Sequence, residues 1–304
     1  MDKFRLYHLL EDGFKEKQRR QPVDTVPRWR GGNSGCLTDD GVCLGEDPRK
    51  AVLRFLGIEK PITLADDLIF HAGFTNEDHW TELLKLAPNH PYVIRCEEEC
   101  PVQWKLNDTD IVTGRPDLML FKDDKPVHGV ELKLISSNGK MARHSHFGDA
   151  NPVPKHWVQA AHYSWQYDVP WTLAYTSRAH YTAFYFGAKK FQLDHPAQRW
   201  DDKGQKVVSV GPFISMYDLT WEDDTALMDE SPTLVTASGI RAFYEYCARC
   251  VQTKTVPTIR SGGTDVWGAQ EKKNDVLLYD DFKEARTDSW SKWVHDCKLI
   301  AGVS

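Results

Sequence analysis

Hydrophobic positions fall into two rhythms along this chain. Between residues 63 and 88, apolar side chains recur at roughly helical spacing: Leu68, Ile69, Phe70, Phe74, Trp80, Leu83 and Leu84. The run Thr63-Leu64-Ala65-Asp66-Asp67 has the form of a helix start, and Pro88 ends the pattern. A period of two follows. It predicts strands over 92–98, 102–106, 117–121 and 127–135, the last two joined by the turn Lys122-Asp123-Asp124-Lys125. Further helices are predicted near 3–18, 47–55, 155–168 and 233–252. In the second of these, Pro48 sits in the first turn and Gly57 is a stop. Residues 171–176 and 181–186 read as a strand pair, and 207–217 as another strand region. Gly31-Gly32-Asn33-Ser34-Gly35 and the polar stretch 136–153 read as loops.

Composition narrows the class. The 304 residues suffice for one large domain or a core with an extension. Eleven Trp and eleven Tyr argue against disorder over most of the length. The net charge of −6 excludes coating nucleic acid by bulk charge, but it allows a local basic groove and suits a protein that gathers divalent cations. Met1-Asp2-Lys3-Phe4-Arg5 carries charge where a secretory signal has an apolar core. No apolar run approaches the about 18–20 residues that span a bilayer. A cytoplasmic protein without a membrane partner is expected. The seven cysteines, an odd number, suit reduced thiols, with metal binding open for some. There is no phosphate-binding Gly-x-x-x-x-Gly-Lys-Ser/Thr loop and no Gly-x-Ser-x-Gly turn, which speaks against a fused helicase or a serine hydrolase.

The informative stretch is Gly114-Arg115-Pro116-Asp117 followed by Gly129-Val130-Glu131-Leu132-Lys133. Side chains alternate along a strand, so Glu131 and Lys133 share one face while Val130, Leu132 and Leu134 take the other. Antiparallel pairing around Asp123-Asp124, with 121 and 127 flanking the turn, sets Asp117 across from Glu131. Two carboxylates that close repel each other unless a cation lies between them. Oxygen ligands at such a spacing suit Mg²⁺ or Mn²⁺. A lysine beside the ion can orient water or balance charge on a pentavalent phosphate, the equipment of metal-assisted phosphodiester hydrolysis. The same pattern is also common on solvated hairpins. Two further motifs add weight. Glu77, in Gly73-Phe74-Thr75-Asn76-Glu77 on the helix before the sheet, is a possible third acid. Gln159 and Tyr163 lie four apart on the helix after it and share a face.

The order Gly-x-x-x-Glu, Gly-Arg-Pro-Asp, Glu-x-Lys and Gln-x-x-x-Tyr resembles the RecB-type branch of the PD-(D/E)XK nuclease superfamily. That branch includes phage exonucleases of the lambda-exonuclease/YqaJ kind and CRISPR-adaptation nucleases. The resemblance spans about residues 65–176. It implies an α/β fold with a restriction-endonuclease-like core: a central mixed β-sheet flanked by helices over 61–188. A helical extension at 1–60 would precede that core, and a C-terminal extension at 189–304 would pack on it. It also implies that Glu77, Asp117, Glu131 and the Leu132 carbonyl bind one or two Mg²⁺ or Mn²⁺ ions, that Lys133 is the catalytic lysine, and that Gln159 and Tyr163 support the site and the substrate phosphate.

Some RecB-type relatives hold an iron–sulfur cluster on one cysteine before the core and three after it. The matching residues here are Cys43 (or Cys36), then Cys247 and Cys250, with Cys297 far from the usual third position. Lys140, Arg143 and Lys155 form a basic stretch expected to grip DNA. The expected activity is a metal-dependent DNA nuclease, an exonuclease by resemblance, serving recombination, repair or phage DNA processing. The alternatives are a structure- or sequence-specific endonuclease and a DNA-binding protein that keeps the fold without turnover. A homo-oligomer or a phage recombination partner stays open.

Overall fold

A computed structural model describes residues 3–20, 27–57, 62–88, 90–96, 99–135, 152–177, 181–184, 198–200, 206–210, 214–255 and 257. The chain opens with α1 (Lys3–Arg20), β1 (Trp29–Arg30), a 3-10 turn at Gly31–Asn33, and the hairpin β2 (Gly35–Leu37) and β3 (Cys43–Gly45). Helix α2 (Pro48–Phe55) starts where the Asp47 carboxylate accepts the Arg49 N–H and Pro48 enters the first turn. Helix α3 (Leu64–Leu86) starts with a reciprocal cap: Thr63 accepts from Asp66 N–H, and Asp66 accepts from Thr63 N–H. Then come β4 (Val93–Cys96), β5 (Val102–Lys105), β6 (Ile111–Gly114), β7 (Leu118–Lys122), β8 (Lys125–Ile135) and α4 (Pro154–Tyr167). The chain continues through β9 (Trp171–Ser177), β10 (Tyr181–Phe184), β11 (Gln198–Trp200), β12 (Lys206–Val210), β13 (Ile214–Glu222), β14 (Thr225–Met228), β15 (Ser231–Thr236) and α5 (Ala237–Thr253).

The main sheet is mixed, with strand order β15-β14-β13-β9-β8-β7-β4. Its β8/β9 pair is parallel and its other neighbours are antiparallel. Strand β8 lies inside this sheet and its residues alternate between two cores. Leu118, Val130, Leu132, Ile94 and Ala174 pack beneath Trp80 and Leu84 of α3. Met119, Phe121, Trp171, Leu173 and Tyr175 pack with Trp157, Val158 and Ala161 of α4 and with Phe243 and Tyr244 of α5. The architecture is therefore mixed α/β, with helices on both faces of a mixed sheet. Along α3 the side chains of Leu68, Ile69, Phe70 and Phe74 stay exposed.

Several sequence expectations change. Strands β9 and β10 do not pair with each other: β9 lies between β8 and β13, while β10 joins β12 in a separate sheet. Residues 207–217 divide between β12 and β13. Residues 233–236, expected as helix, are strand, because β15 pairs with β14 and the helix begins only at the Thr236 cap. Residues 214–236, expected in an extension, supply three strands of the main sheet. The expected N-terminal helical extension also contains strands. Trp29 and Arg30 pair with Val112 and Thr113 of β6, and the β2–β3 hairpin packs against α4 and α5.

A buried polar knot ties that N-terminal segment down. Trp104 Nε1 can only donate, and it donates to His162 Nε2 at 2.9 Å. The neutral ring therefore carries its proton on Nδ1, which donates to Ser34 Oγ at 2.7 Å. The Ser34 hydroxyl donates to the Gly31 carbonyl, and the Tyr244 hydroxyl to the Arg30 carbonyl at 3.1 Å. Burial pushes the His162 imidazole down to about 3, so it stays neutral. Ser34 thus faces an N–H rather than a base, and the pair is structural, not a nucleophile and its activator.

Replacing His162 with Phe removes partners from both Trp104 and Ser34. The variant is expected to lose about 2–4 kcal/mol of stability, read as a shifted urea midpoint at unchanged slope.

Candidate active site

The hairpin of β7 and β8 sets the geometry. Asp123 and Asp124 have φ of 51° and 58°, the left-handed pair that closes a two-residue turn. A plain ladder from that turn, which pairs Lys122 with Lys125, would place Asp117 opposite Val130. The pairing shifts between Leu120 and Phe121, where Val127 is the extra residue. Pro126 beside it has no N–H to give to a ladder. Beyond the bulge Leu118 pairs with Val130, so Asp117 lies next to Glu131 and on its face. The expected register is correct, but it arises from a tight turn plus a bulge rather than from the four-residue turn expected.

Asp117, Glu131 and Lys133 converge on the α4 face of the sheet. Asp117 Oδ2 accepts the Leu132 N–H at 2.7 Å and lies 3.9 Å from Lys133 Nζ. Lys133 Nζ contacts Glu131 Oε1 directly. Glu131 is 0% exposed, and its Oε2 meets no donor among the described residues. Its neighbour is the Asp117 carboxyl, close enough for the two acids to share a proton. Burial, and then the Asp117 charge, push the Glu131 carboxyl up to about 8 against the pull of Lys133. Burial also raises Asp117. For Lys133, burial alone would lower the pKa. Glu131, Asp117 and Glu77 together outweigh it, so the amine is held protonated.

The other expected residues divide. Glu77, on α3, is half-buried and its charge is felt by both Glu131 and Lys133. The Leu132 N–H points at Asp117. Because the N–H and C=O of one residue share a side in an extended strand, its carbonyl faces the same way. Gln159 hydrogen-bonds Tyr163, whose hydroxyl is raised by burial and by the charges of Glu131 and Asp117. Tyr163 is wedged between two glycines. A Cβ on Gly114 would lie 2.5 Å from its ring, and one on Gly31 would lie 2.7 Å from it. The glycine of Gly-Arg-Pro-Asp is therefore what lets the tyrosine reach the acids.

Lys155, expected at DNA, has its ammonium 2.7 Å from Glu46 Oε2, which Arg54 also contacts at 3.0 Å. Burial opposes the Glu46 charge, and Lys155 and Arg54 outweigh it, holding that carboxyl below its usual range. Lys140, Arg143 and Cys297 lie outside the described residues. Cys43, Cys247 and Cys250 are buried. Cys43 acts electrostatically on Cys247, and Cys36 lies beside Cys43. Burial raises the thiols of Cys43 and Cys247, so both stay protonated. Among the described residues, no group of three or more His, Cys, Asp or Glu side chains is arranged to hold a metal ion. No described helix is long and apolar enough to cross a membrane.

Of two residues near the acids, Tyr175 escaped sequence reading, and His156 was expected only as part of the basic stretch with Lys140, Arg143 and Lys155. Tyr175 pairs with Lys133 across β8 and β9, and His156 lies one turn before Gln159 on α4. The i, i+3, i+7 spacing of 156, 159 and 163 was the available signal for the histidine.

No family model matches the chain, and no curated protein matches it. Among solved structures, the crystal structure of SSO0001 aligns over 58% of this chain and 73% of its own, at 14% identity and a TM-score of 0.32. A likeness that loose carries no argument.

The Glu131 shift gives a pH prediction with a definite sign. Between its unfolded value near 4.5 and its folded value of about 8, the folded protein holds a proton that the unfolded chain releases. Metal-free protein should therefore lose stability as pH rises through that window, by up to about 1.4 kcal/mol per pH unit. A Mn²⁺ ion seated at these acids would have to displace the same proton, so any affinity for it should rise over the same range. Thermal melts from pH 5 to 8.5, with and without Mn²⁺, read both effects.

Proposed function

We propose that this chain is a Mg²⁺- or Mn²⁺-dependent DNA nuclease of the PD-(D/E)XK kind, built on a restriction-endonuclease-like core. The observation that carries this reading is the buried Asp117–Glu131–Lys133 cluster. Two adjacent acids there have one amine between them, and one carboxylate oxygen meets no donor among the described residues. Such a pair is short of positive charge, and hard oxygen donors suit these ions. Mg²⁺ is ordinarily held by one or two carboxylates and several waters, so two acids suffice for a seat.

Asp117 and Glu131 would hold the ion, with Glu77 and the Leu132 carbonyl alongside. The bound ion lowers the pKa of water and neutralises charge on the scissile phosphate. The chain's own groups do the remainder. The Leu132 N–H fixes the Asp117 carboxylate. Lys133, a lysinium at working pH, orients the attacking water and offsets charge building on the phosphate. Tyr163, oriented by Gln159, offers a hydroxyl beside the acids. Exonuclease action follows the resemblance to phage exonucleases.

Linear and circular duplex DNA, incubated with Mg²⁺ or Mn²⁺ and with chelator as control, test the reading. Wild-type protein should cleave only with metal, and from ends if it is an exonuclease. Lys133→Ala and Asp117→Asn should each lower the rate by at least about 100-fold, or about 2.7 kcal/mol of barrier, while both variants keep a cooperative melt. Nicked circles would indicate an endonuclease. Absence of metal-dependent cleavage on every DNA tested would reduce the protein to a binding module.

A further inference from the structure

His156 occupies a place that the nuclease motifs do not account for. On α4 it precedes Gln159 by three residues and Tyr163 by seven, so the three side chains form one stripe along the helix. Its Nδ1 lies 3.0 Å from the Tyr175 hydroxyl. Tyr175 is fully buried and pairs in register with Lys133, so its ring leaves the sheet on the face that carries Lys133 and Glu131.

The hydrogen bonds around Tyr175 fix the histidine's tautomer. The Tyr175 oxygen already accepts the Val153 N–H at 3.1 Å. Its own proton, buried with it, needs an acceptor. Of its two described polar neighbours, Val153 N–H can only donate, so His156 Nδ1 must accept. The imidazole then carries its hydrogen on Nε2. Burial and the charges of Lys133 and Lys155 keep the ring uncharged, which also places it within the field of the catalytic amine.

We propose that the His156 Nε2–H is a substrate-binding group that donates to a non-bridging oxygen of the scissile phosphodiester. It would extend the Gln159–Tyr163 stripe by one turn. This rests on the nuclease reading for the identity of the phosphate. A neutral donor suits that task, because it neither competes with the ion for the acids nor repels Lys133. Tyr175 is the positioning residue: it holds Nδ1 as the acceptor and leaves Nε2–H for the substrate.

The test compares wild type with His156→Ala, His156→Gln and Tyr175→Phe, all full length. Three measurements are made: single-turnover cleavage of linear duplex DNA in Mg²⁺, anisotropy of a labelled duplex in Ca²⁺, and Mn²⁺ titration by calorimetry. His156→Ala should cleave about 10- to 100-fold more slowly and bind DNA about 3- to 10-fold more weakly, the range of one lost hydrogen bond to a charged group. Its Mn²⁺ affinity should stay at the wild-type value, while its melting temperature falls because the buried Tyr175 hydroxyl loses its acceptor. His156→Gln, which restores a donor, should recover part of both losses, and Tyr175→Phe should fall between. Cleavage and DNA affinity within twofold of wild type in His156→Ala would overturn the proposal. So would a parallel loss of Mn²⁺ binding, which would mark a structural role. If wild-type protein cleaves no DNA, the nuclease reading fails, and the anisotropy arm alone decides whether His156 holds a phosphate.

Discussion

Glu131 carries its carboxyl to a place that water does not reach, and a charge there must be matched or given up. Lys133 matches it in part. The two residues sit on the same face of one strand, so the match is local and independent of long-range assembly. Asp117 then adds a second acid, and one amine no longer balances the pair. Without a cation a proton makes up the difference, and the acids cannot move apart because the strands on both sides hold β8 fixed: β7 through the bulge at Val127, β9 through a seven-residue parallel ladder. Neither acid can withdraw to solvent without breaking a sheet whose two faces are both packed. The surrounding fold thus holds both acids where one amine cannot balance them, so that a proton or a cation must supply the rest.

Much of this was legible where the determinant is local. The caps at Asp47 and Thr63 mark the starts of α2 and α3 by side chains within three residues of the helix. The alternation Val130, Glu131, Leu132, Lys133 assigns β8 and its two faces without reference to a partner. Strand partnership is different, because two strands of similar pattern look alike in sequence. Nothing in 171–177 says that its neighbours are β8 and β13 rather than the next strand along. The strands β1, β2 and β3 are two or three residues long and sit in a Gly-rich segment. Tertiary contacts to β6, α4 and α5 create them, and these lie well beyond any local window.

The candidate site divides along the same line. The acids and the lysine carry a readable motif because their spacing is the spacing of one hairpin. The commitment of Lys155 to Glu46 was not readable, since 109 residues separate the pair. Nor was the role of Tyr175, which depends on a parallel register. A charged residue near a motif says little about its partner. That partner is set by whichever opposite charge the fold buries beside it, here Glu46 at 3% exposure.

The knot of Ser34, His162 and Tyr244 has a consequence for how the chain reaches its final form. Ser34 and Tyr244 are 210 positions apart, and Cys36 meets the backbone of Leu234 across 198. Contacts of such separation close very large loops and slow the search for the native state. During synthesis Ser34 leaves the ribosome 210 residues ahead of its partner Tyr244. Gly31, which leaves room for Tyr163, belongs to the same waiting segment. The surroundings of the acids therefore close only after translation has passed α5, and a nascent chain stopped short of it holds the motif residues without the finished pocket.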